Sequence, residues 1–164
     1  MGAKFNSTLI GWTPVAVADT ANFTDAGHHS LQGVTTPGTV NVLEVFLGGE
    51  ATSSTVNQMV FGRDSTVGVT LSYATVSGYT AALHPSTAAA RAVGFNTATT
   101  KPQKSSTLHL LSLSMNAFGG IIRWVAAPGE ELTMIGITQP MGECSLTSVS
   151  GTGKLSSGIV FEEM

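Results

Sequence analysis

Chemistry in a protein needs nucleophiles, acids, bases or metal ligands at a usable spacing, and few candidates exist in this chain. The densest group is Asp25, His28, His29 and Ser30. It holds the residue types of a hydrolytic triad, yet a triad is defined by geometry and no G-x-S-x-G elbow surrounds Ser30. It also looks metal-like. Adjacent residues of a strand point to opposite faces, however, and no second His or Cys group at suitable spacing completes a site. The run Gly151-Thr152-Gly153-Lys154 has part of a phosphate loop, but Ser148 stands where the first glycine belongs and Leu155 where the hydroxyl residue belongs. It reads as a hairpin turn. Glu130-Glu131 and Glu162-Glu163 flank a turn and the C-terminus, where charges are normally solvated. Cys144 is the single cysteine, so the chain forms no internal disulfide, and it reads as a small packing residue. The expectation is a non-enzyme with no catalytic residues, no cofactor and no metal.

Composition agrees with that reading. Charged residues make up 10% of the 164-residue chain, against about 25% in an average globular domain. Ser and Thr supply the missing polarity at roughly a quarter of all residues, and Thr suits the pleated surface of a strand. Seven Lys and Arg are scattered along the chain and net charge is −3. Phosphate contacts need a clustered basic face, so no nucleic-acid partner is expected. No apolar run is long enough for a signal-peptide core or a membrane-spanning helix. The expectation is therefore a chain made in the cytoplasm, with no membrane partner.

The elements that would hold any site are short strands. Residues 1–38 show little sustained alternation and read as an extended N-terminal arm, with one short strand at Trp12 to Val17. Residues 39–164 read as the folded domain. There, Thr39 to Leu47 alternates Val40, Val42, Glu44 and Phe46 against Leu43, Val45 and Leu47. Thr55 to Phe61, Ser65 to Tyr73, Thr107 to Met115, Gly120 to Ala126, Glu131 to Thr138, Ser145 to Val149 and Leu155 to Phe161 follow. Ser65 to Tyr73 is the cleanest period-2 pattern. Ala127-Pro128-Gly129-Glu130 is a strong turn signal. The stretch 81–104 reads either as a surface loop or as a helical turn capped by Ser86 or Thr87. About eight strands without intervening helices predict an all-β, antiparallel β-sandwich, with a jelly roll the best match in count and length.

Two aromatics carry most of the interface argument. Strand alternation puts Ile122 and Trp124 on one face and Ile121, Arg123 and Val125 on the other, so Trp124 reads as a core aromatic. Trp12 sits in the arm and needs an apolar partner, which a neighbouring subunit would supply. The expected interface residues are accordingly Trp12, Phe23, His28 and His29.

The stretch from Asn116-Ala117-Phe118-Gly119-Gly120 through Ile121-Ile122-Arg123-Trp124-Val125 to Ala126-Ala127-Pro128-Gly129-Glu130-Glu131 resembles small structural proteins of tailed bacteriophages. So do Gly48 to Ser54, Arg63-Asp64-Ser65-Thr66 and Gly158 to Glu163. The resemblance spans most of residues 27 to 164 and implies a capsid decoration (cement) protein with a jelly-roll body. It also implies a homotrimer bound through the major capsid protein to the outside of the virion. No catalytic residues carry over from such a family. The alternative is a tail- or fibre-associated module that recognises host glycans, with Trp12, Trp124, Tyr73 and Tyr79 as its candidate aromatics.

Overall fold

β-Branched and aromatic residues in short runs build strands, and strands are the regular elements of the described residues. The computed structural model describes residues 2–14, 27–34, 38–66, 69–72, 78–83, 90–100, 103–137 and 142–164. Among them are β1 (Ala3–Trp12), β2 (His29–Gln32), β3 (Thr39–Gly49), β4 (Val56–Thr66), β5 (Val69–Ser72), β6 (Gly78–Ala82) and β7 (Val93–Phe95). The second half supplies β8 (Thr97–Thr100), β9 (Gln103–Asn116), β10 (Ile121–Val125), β11 (Leu132–Ile135), β12 (Glu143–Ser150) and β13 (Leu155–Glu163). No helix of the described residues is long and apolar enough to cross a membrane.

The protein is an all-β, antiparallel sandwich. One sheet runs β10-β3-β13-β1-β6, with β11 continuing β10 along the same side of β3; the other runs β7-β2-β12-β4-β9. β5 and β8 form a separate ribbon. The pairing is nested: β1 lies beside β13, β2 beside β12, β3 beside β10 and β11, and β4 beside β9. Between the sheets lie Phe5, Leu9, Leu31, Val45, Leu47, Phe61, Leu146 and Phe161, all buried, with Phe5 and Phe161 stacked at 5.5 Å between ring centroids.

The division into an arm and a domain does not hold. β1 is an interior strand, paired with β13 on one side and β6 on the other. β2 sits between β7 and β12. Residues 3–12 and 29–32 thus belong to the sandwich; of the short strand expected at Trp12 to Val17, Trp12 is the last residue of β1 and residues 15–17 lie outside the described residues. The pattern was hard to read because Ser7, a hydroxyl, occupies an inward position between Phe5 and Leu9. The pairing then shifts between Leu9 and Trp12, where Gly11 takes φ +65°, a conformation that favours glycine in a bulge.

β3 holds a second irregularity. Val160 pairs with Glu44 and Phe161 with Val42, leaving Leu43 as an extra residue. Val40 and Val42 therefore face the core before the bulge, and Val45 and Leu47 after it. An unbroken alternation would have set Val40 and Val42 on the same face as Glu44 and Phe46. The strands expected at 107–115, 120–126, 131–138, 145–149 and 155–161 appear as β9 to β13, and Pro128-Gly129 makes the expected turn, closed by Glu130 N–H to the Ala127 carbonyl at 2.9 Å. Within the stretch 81–104 the chain forms β7 and β8 between the end of β6 and the start of β9; the helical turn capped by Ser86 or Thr87 falls mostly outside the described residues.

Residues 151–154 are not a hairpin turn. β12 belongs to one sheet and β13 to the other, so the segment crosses between sheets. Buried Asn57 fastens it at both backbone groups of one residue, donating to the Gly153 carbonyl at 2.7 Å and accepting from Gly153 N–H at 2.9 Å.

Candidate functional site

Among the described residues the sandwich buries several groups that could do chemistry: His28, His29, Asp64, Glu143, Cys144 and Glu163. His29, on β2, faces Ser7 of β1 and Ser157 of β13 across the core. Its Nε2 lies 2.9 Å from Ser7 Oγ and its Nδ1 2.8 Å from Ser157 Oγ, which also accepts from Trp12 Nε1 at 2.9 Å. An indole can only donate, so Ser157 accepts from Trp12. One assignment that uses each donor once has Ser157 offer its own proton to Nδ1, with Nε2 carrying the ring proton and donating to Ser7. Burial, reinforced by the neighbouring His28, pushes the His29 pKa down to about 3, so the ring stays neutral. A serine hydroxyl against an imidazole is how a nucleophile is activated. Here Ser7, His29 and Ser157 are all fully buried, and no substrate reaches them.

Three of the four expected interface residues are placed in the interior. Trp12 is buried in the chain's own core, which supplies the apolar partner assigned to a neighbouring subunit. His28 is buried with its ring edge-on to Phe95 at 5.9 Å, and His29 is held in the chain of hydrogen bonds just described. Phe23 and Asp25 lie outside the described residues. None of the three placed residues is on the surface, and removing residues 1–27 would delete an interior strand rather than a free arm.

Other candidates are structural too. Ser145 Oγ donates to Asp64 Oδ1 at 2.6 Å, with both residues fully buried. Glu163, expected to be solvated, is buried and accepts from the backbone N–H groups of Arg91 and Ala92, each at 2.8 Å. Lys154, in the failed phosphate loop, stands 3.9 Å from Glu50. Among the described residues no group of three or more His, Cys, Asp or Glu could hold a metal ion.

What the surface offers instead is apolar. Large side chains are exposed where β9 turns into β10: Val56 and Phe118 are each 60% exposed, Ile121 82% and Val125 55%. The turn that carries Phe118 is tightly built. Asn116 Oδ1 accepts from Phe118 N–H at 2.9 Å, Ala117 N–H reaches the Thr55 carbonyl at 2.7 Å, and the Ala117 carbonyl accepts from Ala51 N–H at 2.9 Å. Gly119 at φ +75° closes the turn. Ala117 is fully buried beneath it, so Phe118 is presented from a fixed base.

Ile121, Arg123 and Val125 form the outer row of β10, an edge strand, and Trp124 packs its other face against the core as expected. Arg123 donates to both carboxylate oxygens of Glu44, at 2.6 and 2.8 Å. The pairing holds the Glu44 carboxyl below the usual carboxylate range and leaves Arg123 the more exposed partner of the two. Sequence reasoning placed these residues on one face correctly but missed that the strand is an edge, because pairing partners are not encoded in local periodicity.

No family model matches the chain, and no curated protein matches it significantly. Fold and surface together define a class: an antiparallel β-sandwich with a sealed polar interior and an exposed apolar edge.

Proposed function

We propose that this chain is a non-enzymatic structural protein that decorates the outside of a bacteriophage head and stabilises it by docking on the major capsid protein. The observation that supports this most is the exposed apolar row of Phe118, Ile121 and Val125, set on a rigid turn and an edge strand. Exposed aromatic and aliphatic side chains on a preorganised base are what a docking surface requires. The nested first-with-last strand pairing supports reading the sandwich as a jelly roll. The low charge of the surface suits an interface held by apolar contact, whose strength changes little with salt. Assembly as a homotrimer belongs to the same proposal, since closed symmetry would let several copies bind a shell at once.

Co-sedimentation with capsid shells tests the reading. The wild-type protein should pellet with shells at both low and high salt. Phe118→Asp should remain in the supernatant with an unchanged melting temperature, because its side chain makes little contact within the fold. Equal pelleting of wild type and variant would remove the docking role of this surface, and failure of the wild type to pellet would remove the function.

A further inference from the structure

We infer that β10 is a receptor for an added strand: an extended segment of the docking partner, with apolar residues flanking an acidic one, pairs antiparallel with Ile121–Val125. The inference deepens the docking reading above and rests on it for the partner's identity. Its basis is the direction of the backbone groups. Ala126 N–H donates to the Leu43 carbonyl at 2.9 Å, and the Gly120 carbonyl accepts from Gly49 N–H at 2.8 Å. Backbone groups alternate sides along a strand, so those of Ile122 and Trp124 also face β3. The N–H and C=O groups of Ile121, Arg123 and Val125 therefore point away from the sheet, along its open edge.

The neighbouring part of the same edge is closed. β11 continues β10 along β3, and there Arg63 reaches the Thr133 carbonyl with Nη2 at 2.8 Å and Nε at 3.2 Å. A guanidinium covers that outward group as edge strands usually require. On β10 the usual guards are missing: it has no proline, no lysine and no bulge, and its two terminal side chains are apolar and exposed.

Charge selects the occupant. Arg123 is paired with Glu44 of β3, and its side chain is 65% exposed against 18% for Glu44, so the guanidinium is the charge of the pair more open to an incoming strand. A second copy of β10, paired to use all the outward groups, would set Arg123 against Arg123, and like charges directly opposite are unfavourable. A carboxylate opposite Arg123, with apolar residues two positions to either side facing Ile121 and Val125, complements the row. Strand addition of this kind takes affinity from the backbone and selectivity from alternate side chains.

Amide hydrogen exchange tests this residue by residue. In the free protein, Ile121, Arg123 and Val125 should exchange quickly and Ile122 and Trp124 slowly. A capped peptide Thr-Val-Thr-Glu-Thr-Val-Thr at saturating concentration should slow the first three about tenfold or more, as closed hydrogen bonds do. The same peptide with Lys in place of Glu should not. Ile121→Pro removes one outward donor at the first position of the strand, where proline is tolerated. It should weaken the peptide several-fold more than Ile121→Ala, which removes only the side chain. No protection at these three amides, or equal protection by both peptides, overturns the inference. Protection that rises with protein concentration alone would identify a second copy as the occupant and overturn the acidic partner strand. Repeating the exchange on shell-bound protein separates the two readings. Shells bound without protection sink strand addition and spare decoration; peptide protection without shell binding does the reverse.

Discussion

Acidification should loosen this protein through one residue. The His29 pKa is pushed down to about 3 in the fold, against 6.5 when exposed, so the native state holds the ring neutral while the unfolded chain takes up a proton. The unfolded state binds more protons below the exposed value, so stability is full above about pH 6.5 and falls as pH drops towards 3. Each pH unit in that window is worth about 1.4 kcal/mol per proton. Between pH 7 and pH 5 the loss from His29 is thus about 2 kcal/mol. Urea unfolding at the two pH values measures it, with His29→Gln as the comparison. Glutamine keeps one acceptor and one donor for Ser157 and Ser7 but does not titrate. Carboxylates titrate alike in both proteins and cancel in the difference. The wild type should lose about 2 kcal/mol more than the variant over this range. Equal losses would refute the argument, as would a ring-nitrogen NMR shift showing charged His29 in the folded protein at pH 5.

Two further outcomes concern packing. A methyl group at Gly49 would run into the backbone carbonyl of Ala117, so Gly49→Ala should lower stability by about 1–3 kcal/mol, as overpacking does, and speed amide exchange at Phe118; unchanged exchange there would show that the turn is not braced from below. The Cys144 thiol is fully buried, so a thiol reagent should label it only as fast as the protein opens, and prompt labelling of native protein would contradict that burial.

The sandwich was legible because its later strands alternate plainly. Ile122 and Trp124 against Ile121, Arg123 and Val125 is such a case, and the same residues carry the candidate surface. What failed did so for nameable reasons. In β1 an inward Ser7 interrupts the apolar series, and its burial makes sense only once His29, 22 positions away, is opposite it. In β3 the extra Leu43 reverses the alternation halfway, and a bulge is a property of two strands, not one. The crossing at Gly151–Lys154 resembles a hairpin because local residues announce a turn but not the sheet in which the next strand lands. Trp12, His28 and His29 looked like surface anchors because aromatic and polar residues in an irregular stretch resemble a free segment; their partners, Ser157 and Phe95, are remote in sequence.

The nested pairing has a consequence for how the chain is made. β13 is the last strand of the frame to leave the ribosome, yet it lies between β3 and β1 and joins them into one sheet. Until residues 155–163 emerge, β1 has only β6 beside it and the Trp12 indole lacks its acceptor, Ser157. Closing a loop that spans nearly the whole chain is slow, because its entropy is lost before the contacts form. The sheet is thus locked by residues 155–163: a nascent chain that exposes only the residues before Leu155 should remain protease-sensitive, while one with Glu163 clear of the ribosome should become resistant in a single step.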